Sequence, residues 1–110
     1  MTDESPDVNV DLADPEVRKA LLNTETARIP WRELQRYFAS GAAIAVAAEL
    51  DLVAVAAEVM ADNKAAMEAW ISQGQVGPVS DQQALQWYDA DALVWAVVLS
   101  PWVFVQHAGR

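Results

Sequence analysis

The chain has 110 residues, a formal net charge of −9 and no cysteine. The missing thiols exclude disulfides and cysteine-ligated zinc, and the negative charge argues against nucleic-acid binding, because phosphate contacts need a surplus of Lys and Arg. A hydrophobic content of 54% with 21% charged residues is typical of a globular chain. We therefore expect a single globular domain over residues 14–108, which is an ordinary domain length.

Residues 1–13 are expected to form a disordered acidic tail. Their charged side chains are all acidic, and the segment lacks the apolar stretch of a secretory signal peptide. The apolar run that closes the sequence is about 13 residues long, whereas a membrane-spanning helix needs about 20. These features predict a cytoplasmic protein without a membrane segment.

Five helices are predicted from capping side chains and from apolar residues at every third or fourth position. Asp14 followed by Pro15 marks one start, and Ser80 with Gln83 forms a capping box. The predicted helices run from Asp14 to about Asn23, from Pro30 to Gly41, from Asp51 to Met60, from Asn63 to Gly74, and from Ser80 to between Asp89 and Asp91.

Three strands are predicted, two of them in the uncharged C-terminal segment. Ile44 and Val46 alternate with small residues, which favours a strand over Ala42–Ala48, although alanine itself favours helix. The C-terminal segment is rich in Val and aromatic residues, which favours strand, and Pro101 divides it. Its two predicted strands are Leu93–Leu99 and Trp102–Val105.

These elements predict an α+β fold with about five short helices and a small antiparallel sheet that includes the C-terminal strands. If Ala42–Ala48 is helical instead, the fold is mostly α. Gly77-Pro78 is expected to form a loop before the last helix.

Three carboxylates are candidate ligands of a metal ion. Asp51, Glu58 and Asp62 lie at positions i, i+7 and i+11, which share one face of an unbroken helix, and carboxylate oxygens are suitable ligands for hard cations. The alternative is an exposed acidic stripe in which Asp51 and Asp62 cap helices. No cofactor is expected.

A second polar group lies around the predicted turn between the first two helices. Glu25 and Glu33 are a pair of carboxylates of the kind that can divide acid and base roles, and Arg28 lies between them in the sequence. Helix capping and exposed ion pairing are the ordinary roles of such groups. His107 is the single histidine and is expected to be exposed near the chain end, so no catalytic residue is assigned.

The five tryptophans are the largest apolar side chains of the sequence. We expect Trp31, Trp70 and Trp95 to fill the core. Trp102 follows a proline in the last strand, and tryptophan is enriched in the centres of protein interfaces. If that strand lies at the edge of the sheet, a symmetric dimer is the commonest way to cover it. The predicted interface residues are Trp102, Val103, Phe104 and Val105.

Several stretches of the chain carry a resemblance to a known family. The most specific is Trp95–Gln106, and the others are Leu22–Ala27, Ile29–Leu34, Leu50–Val53 and the spacing from Asp62 to Trp70. They resemble a family of short bacterial proteins, mostly from proteobacteria, that is defined only as a domain of unknown function. The resemblance implies a soluble bacterial protein and no particular activity, cofactor or partner.

The sequence therefore favours a non-catalytic interaction protein that self-associates as a homodimer or binds another protein. The alternative is an enzyme or a binding protein that holds a cation or small ligand through its carboxylates. A third hypothesis is a subunit whose acidic surface docks on a basic partner.

Overall fold

The computed structural model describes residues 14–108 of the chain, so the expectation of an acidic tail over residues 1–13 lies outside the described residues. Helices and strands are interspersed along the described part, with α3 followed directly by α4 and β4 directly by β5. The elements are α1 (Pro15–Glu25), β1 (Ala27–Pro30), a 3-10 turn (Trp31–Leu34), α2 (Gln35–Ala39), β2 (Ala43–Val46), α3 (Leu52–Met60), α4 (Lys64–Ser72), β3 (Val76–Pro78), α5 (Asp81–Asp89), β4 (Leu93–Leu99) and β5 (Trp102–His107).

All five predicted helices are present, and four of them begin at a side-chain cap. The capping oxygens of Asp14, Asp51, Asn63 and Ser80 each accept a backbone N–H of the first helical turn. The helix predicted from Pro30 to Gly41 differs, because its first turn is a 3-10 turn. There the backbone N–H of Trp31 donates to the carbonyl of Ala92, 2.9 Å away, so this turn is anchored to the start of β4.

The five strands form one sheet in the order β1-β4-β5-β2-β3. The α+β class is confirmed, and the segment Ala42–Ala48 contributes strand β2. Three of the strand pairs are antiparallel, whereas β2 and β5 are parallel. The sheet is therefore mixed, and β5 lies inside it between β4 and β2.

Two short edge strands were not predicted. Strand β1 ends at Pro30 and β3 ends at Pro78, so the Gly77-Pro78 segment expected as a loop is paired with β2. Proline is tolerated at a sheet edge because no N–H is needed on the open side. Short edges that contain proline also resist pairing with another chain.

Helices cover both faces of the sheet and bury two hydrophobic clusters. On one face, the 3-10 turn, α2 and α5 pack against the sheet. The buried cluster between them includes Trp31, Trp87, Val94 and Val103. On the other face, α1, α3 and α4 pack against the sheet, and the buried cluster there includes Val55, Val97 and Phe104. Alternate residues of β4 and β5 contribute to opposite clusters, as the period of two in a strand requires. The C-terminal apolar run is thus buried on both sides.

Gly41 follows α2 in the left-handed conformation that commonly ends a helix. Its φ is +79°, and its N–H donates to the carbonyl of Phe38 while the N–H of Ala42 donates to that of Tyr37. A non-glycine residue in this conformation is strained by contact between Cβ and the backbone.

We expect Gly41→Ala to lower the free energy of unfolding by about 1 kcal/mol, because the added Cβ meets no neighbouring atom and only backbone strain is introduced. Gly77→Ala is the matched control, since its Cβ also meets no neighbour and its φ is not positive. Chemical denaturation measures both. An equal loss in the two variants would contradict the assignment.

Candidate binding surface

The structure does not bring the candidate metal ligands together. Asp51 caps α3, and its carboxylate accepts the N–H of Val53 at 3.0 Å. Glu58 accepts a hydrogen bond from the side-chain amide of Asn63 at 2.8 Å. Helix α3 ends at Met60, before Asp62, so the three residues do not share one helical face. Among residues 14–108, no three His, Cys, Asp or Glu side chains are grouped to hold a metal ion, and the predicted site is corrected accordingly.

The second polar group is spread over exposed positions. Glu25 is the last residue of α1, and Glu33 lies in the 3-10 turn; both are exposed. The guanidinium of Arg28 lies 5.6 Å from the centroid of the Trp95 ring, a cation–π arrangement. His107 is exposed, as expected, and its ring stacks on Trp87 with 6.1 Å between centroids.

The tryptophans divide between the core and the surface in a way that the sequence predicted only in part. Trp31 is fully buried, and its indole N–H donates to the carbonyl of Ala84 at 3.1 Å. Trp70 packs against the second cluster, as expected. Trp87 is also buried, which was not predicted, whereas Trp95 is 39% exposed and is not a core residue. Trp95 lies on β4 beside the short strand β1, where little chain covers it.

The predicted interface strand is mostly core. Val103, Phe104 and Val105 are buried, while Trp102 is 43% exposed. The sequence argument assumed that the last strand has a free edge, but β5 is paired on both sides. Of the four predicted interface residues, Trp102 alone presents its side chain at the surface.

Trp102 borders an apolar groove of about 290 Å³ on the face of the sheet that carries α3 and α4. Its walls are side chains from both helices and from three strands, and they are almost entirely apolar. We call it the Trp102 groove. Its residues are Ile44, Val59, Met67, Ile71, Val76, Gly77, Pro78, Trp102 and Phe104.

A second, more polar groove of about 230 Å³ lies on the same face, beside Trp95. Three of its polar side chains hold elements of the fold together. The side-chain amide of Gln106 donates to the carbonyls of Ala47 and Leu50, the hydroxyl of Thr26 donates to the carbonyl of Leu22, and Asp51 caps α3. This groove therefore serves first to join the ends of α1 and α3 to β5.

Three of the five segments that carry the family resemblance meet at this second groove. Asn23 and Thr26 belong to Leu22–Ala27, while Trp95 and Gln106 belong to Trp95–Gln106; the remaining lining residues, Asp51, Leu52 and Val53, belong to Leu50–Val53. Because their polar groups bond to the backbone, these segments specify how the elements are joined. No local pattern identifies the role of Gln106, because the carbonyls that it binds lie 56 and 59 residues away in the chain.

Comparison with known proteins agrees with the resemblance. The model of a family described as a protein of unknown function, DUF2288, matches residues 17–107, and the chain belongs to this family. It is similar to PA1075 from Pseudomonas aeruginosa, known from an NMR solution structure, with 35% sequence identity and a TM-score of 0.73 over 100% of this chain and 93% of that one. No curated protein matches the chain.

One further finding concerns the membrane. Across residues 14–108, every helix is too short or too polar to cross a bilayer.

If Asp51 caps a helix, its substitutions affect stability differently than if it binds a metal ion. We expect Asp51→Ala to destabilise the protein by about 1 kcal/mol, while Asp51→Asn, which keeps a capping oxygen, changes stability by a few tenths of that amount. Thermal unfolding with and without millimolar magnesium, manganese or calcium is the measurement, and no shift is expected. A stabilising shift that both substitutions remove would restore the metal site, since a ligand of the folded state raises stability by mass action.

Proposed function

We propose that the protein is a non-catalytic, cytoplasmic interaction protein that self-associates through the Trp102 groove. The observation that carries the proposal is a tryptophan with 43% of its surface exposed beside an apolar groove. Tryptophan is enriched in the centres of protein interfaces, where it fills well-packed pockets. In the more polar groove beside Trp95, by contrast, the side chains of Gln106, Thr26 and Asp51 are engaged in joining and capping elements.

The shape of the surface supports a symmetric pair. A two-fold interface uses the same patch on both copies, so the patch must be complementary to itself. Here exposed apolar side chains lie beside a cavity. Trp102 and Ile71 line the groove, and they are 43% and 55% exposed. In a two-fold pair, the projecting side chains of each copy would enter the groove of the other.

The area that a stable interface needs and the form of the sheet edges also support the Trp102 groove as the dimer contact. A stable interface covers about 800 Å² per partner, so the contact would extend from the groove over the exposed Met60 at the end of α3. The edges of the sheet are the alternative route to a dimer, but both edges are short and contain proline. Edge-to-edge pairing is therefore disfavoured.

Charge provides a way to separate self-association from docking on a basic partner. Each copy carries a net charge of −9, so two copies repel each other and added salt screens the repulsion. A dimer held by apolar contact should therefore become tighter with salt. A complex between the acidic surface and a basic protein should become weaker.

We expect Trp102→Ala to raise the dimer dissociation constant at least about 30-fold, since truncating an interface tryptophan costs about 2 kcal/mol or more. Trp95→Ala is the matched control, because Trp95 has nearly the same exposure, 39% against 43%, and lies outside the groove. Sedimentation equilibrium of the full chain measures the constant, and circular dichroism confirms that both variants are folded.

Two results would overturn this proposal. One is a full chain that stays monomeric at high micromolar concentration at both low and high salt. The other is a dimer that Trp95→Ala weakens as much as Trp102→Ala does.

A further inference from the structure

The groove beside Trp95 contains a partly exposed aromatic ring between polar side chains. In the strand register, Trp95 lies opposite Arg28 of β1 and opposite Gln106 of β5, and residues directly opposite one another share a face of the sheet. The guanidinium of Arg28 lies over the ring, 5.6 Å from its centroid, on the β1 side. Gln106 lines the groove together with Trp95, so the groove lies on the β5 side of the ring.

Several polar atoms of this groove remain available after the bonds that hold the fold together. Asp51 caps α3 through Oδ1, and its Oδ2 has no partner among residues 14–108. Both hydrogen bonds of the Gln106 side chain are made by Nε2, which leaves Oε1 without a partner in the same part of the chain. The side chain of Asn23, near the end of α1, forms no hydrogen bond with any described residue.

These available groups are best matched by a ligand that carries several hydroxyls. The oxygens of Asp51 and Gln106 can only accept hydrogen bonds, whereas the amide of Asn23 both donates and accepts. A hydroxyl also donates and accepts, so several hydroxyls on one ligand can pair with all three side chains. A cation would meet Arg28 beside the ring, and an anion would meet Asp51 and a chain of net charge −9. Both charged classes are therefore disfavoured.

The aromatic ring and the size of the groove narrow the ligand further. A sugar ring has hydroxyls around its rim and C–H groups on its faces, so one face can pack against the indole while the rim reaches the polar side chains. The groove has a volume of about 230 Å³, and pockets for drug-sized ligands begin at about 300 Å³. The groove therefore suits a single ring.

We infer that the groove beside Trp95 binds one neutral sugar ring. The indole of Trp95 contacts the C–H face of the sugar, Asp51 Oδ2 and Gln106 Oε1 accept hydrogen bonds from its hydroxyls, and Asn23 pairs with a further hydroxyl. This site goes beyond the proposed function and shares no lining residue with the Trp102 groove. Sugar binding and dimer formation can therefore be tested separately. For a ligand of this size we expect a dissociation constant on the order of millimolar.

An NMR titration of the isotope-labelled full chain tests the site. The probes are glucose, galactose, mannose and N-acetylglucosamine, with glycerol and adenosine as comparison compounds. We expect at least one sugar to shift the Trp95 indole N–H and the side-chain amides of Asn23 and Gln106 saturably, and to leave Tyr88 on the opposite face unchanged. The methyl glycoside of that sugar distinguishes two sources: equal affinity indicates a ring linked to a larger molecule, and lost affinity indicates a free sugar.

Two variants assign the binding to the named side chains. Trp95→Ala should weaken it at least about 10-fold, because the surface for the C–H face is removed. Asn23→Ala should weaken it about 3- to 10-fold without lowering thermal stability, since Asn23 holds no other element. Tyr88→Ala is the matched control for Trp95→Ala and should bind normally: Tyr88 is 45% exposed, and the guanidinium of Arg32 lies 4.7 Å from its ring centroid.

Three outcomes would overturn the inference. The first is the absence of a saturable shift with all four sugars at tens of millimolar. The second is an equal shift of the same signals by glycerol or adenosine, which would show that a sugar ring is not what the groove selects. The third is unchanged affinity in Asn23→Ala and Trp95→Ala. None of these results bears on the dimer, whose test uses Trp102→Ala and sedimentation.

Discussion

The structure depends on the burial of strand β5 on both of its faces and along both of its edges. Val103 and Val105 point into one cluster and Phe104 into the other, while β4 and β2 pair with the strand on either side. An uncharged strand of this kind must be covered by helices on both faces of the sheet, because each face presents apolar side chains. The two helical layers follow from that requirement.

The same constraint determines which residues are left for binding. The polar groups near β5, such as Gln106 and Asp51, satisfy backbone carbonyls and N–H groups at the places where elements meet. Buried carbonyls without such partners would destabilise the fold. Trp102 differs because it lies at the start of β5, next to the hairpin turn, where the helical layer ends. An apolar surface remains there, and it is the surface that we propose for interaction.

The sequence predicted the local structure well and the arrangement of the strands poorly. Capping residues and apolar spacing located the helices, and the Val-rich and aromatic composition identified β4 and β5, because both signals arise within a few residues. The interior position of β5 was missed, since pairing with β2 joins segments far apart in the chain. Strand β1 was missed because Pro30 was interpreted as the start of a helix, and β3 because Gly77-Pro78 indicates a loop. Proline also occurs at a sheet edge, where both residues lie.

At the candidate site, too, features that depend on local sequence were predicted and features that depend on tertiary packing were not. Trp102 was identified from its residue type and its place after a proline, but the groove beside it consists of side chains from α3, α4 and three strands, which no local pattern brings together. The spacing of Asp51, Glu58 and Asp62 was misleading because it assumed a helix that continues past Met60. Trp95 was expected in the core and is partly exposed, while the burial of Trp87 was not predicted, since the depth of a ring depends on which elements pack over it.

Amide hydrogen exchange tests the central claim about β5 most directly. If β5 is the interior strand, the N–H groups of Val103, Phe104 and Val105 exchange only when the whole protein unfolds, and they are slower than those of β1 and β3 at the edges. Exchange in β5 that is as fast as in the edge strands would contradict the account.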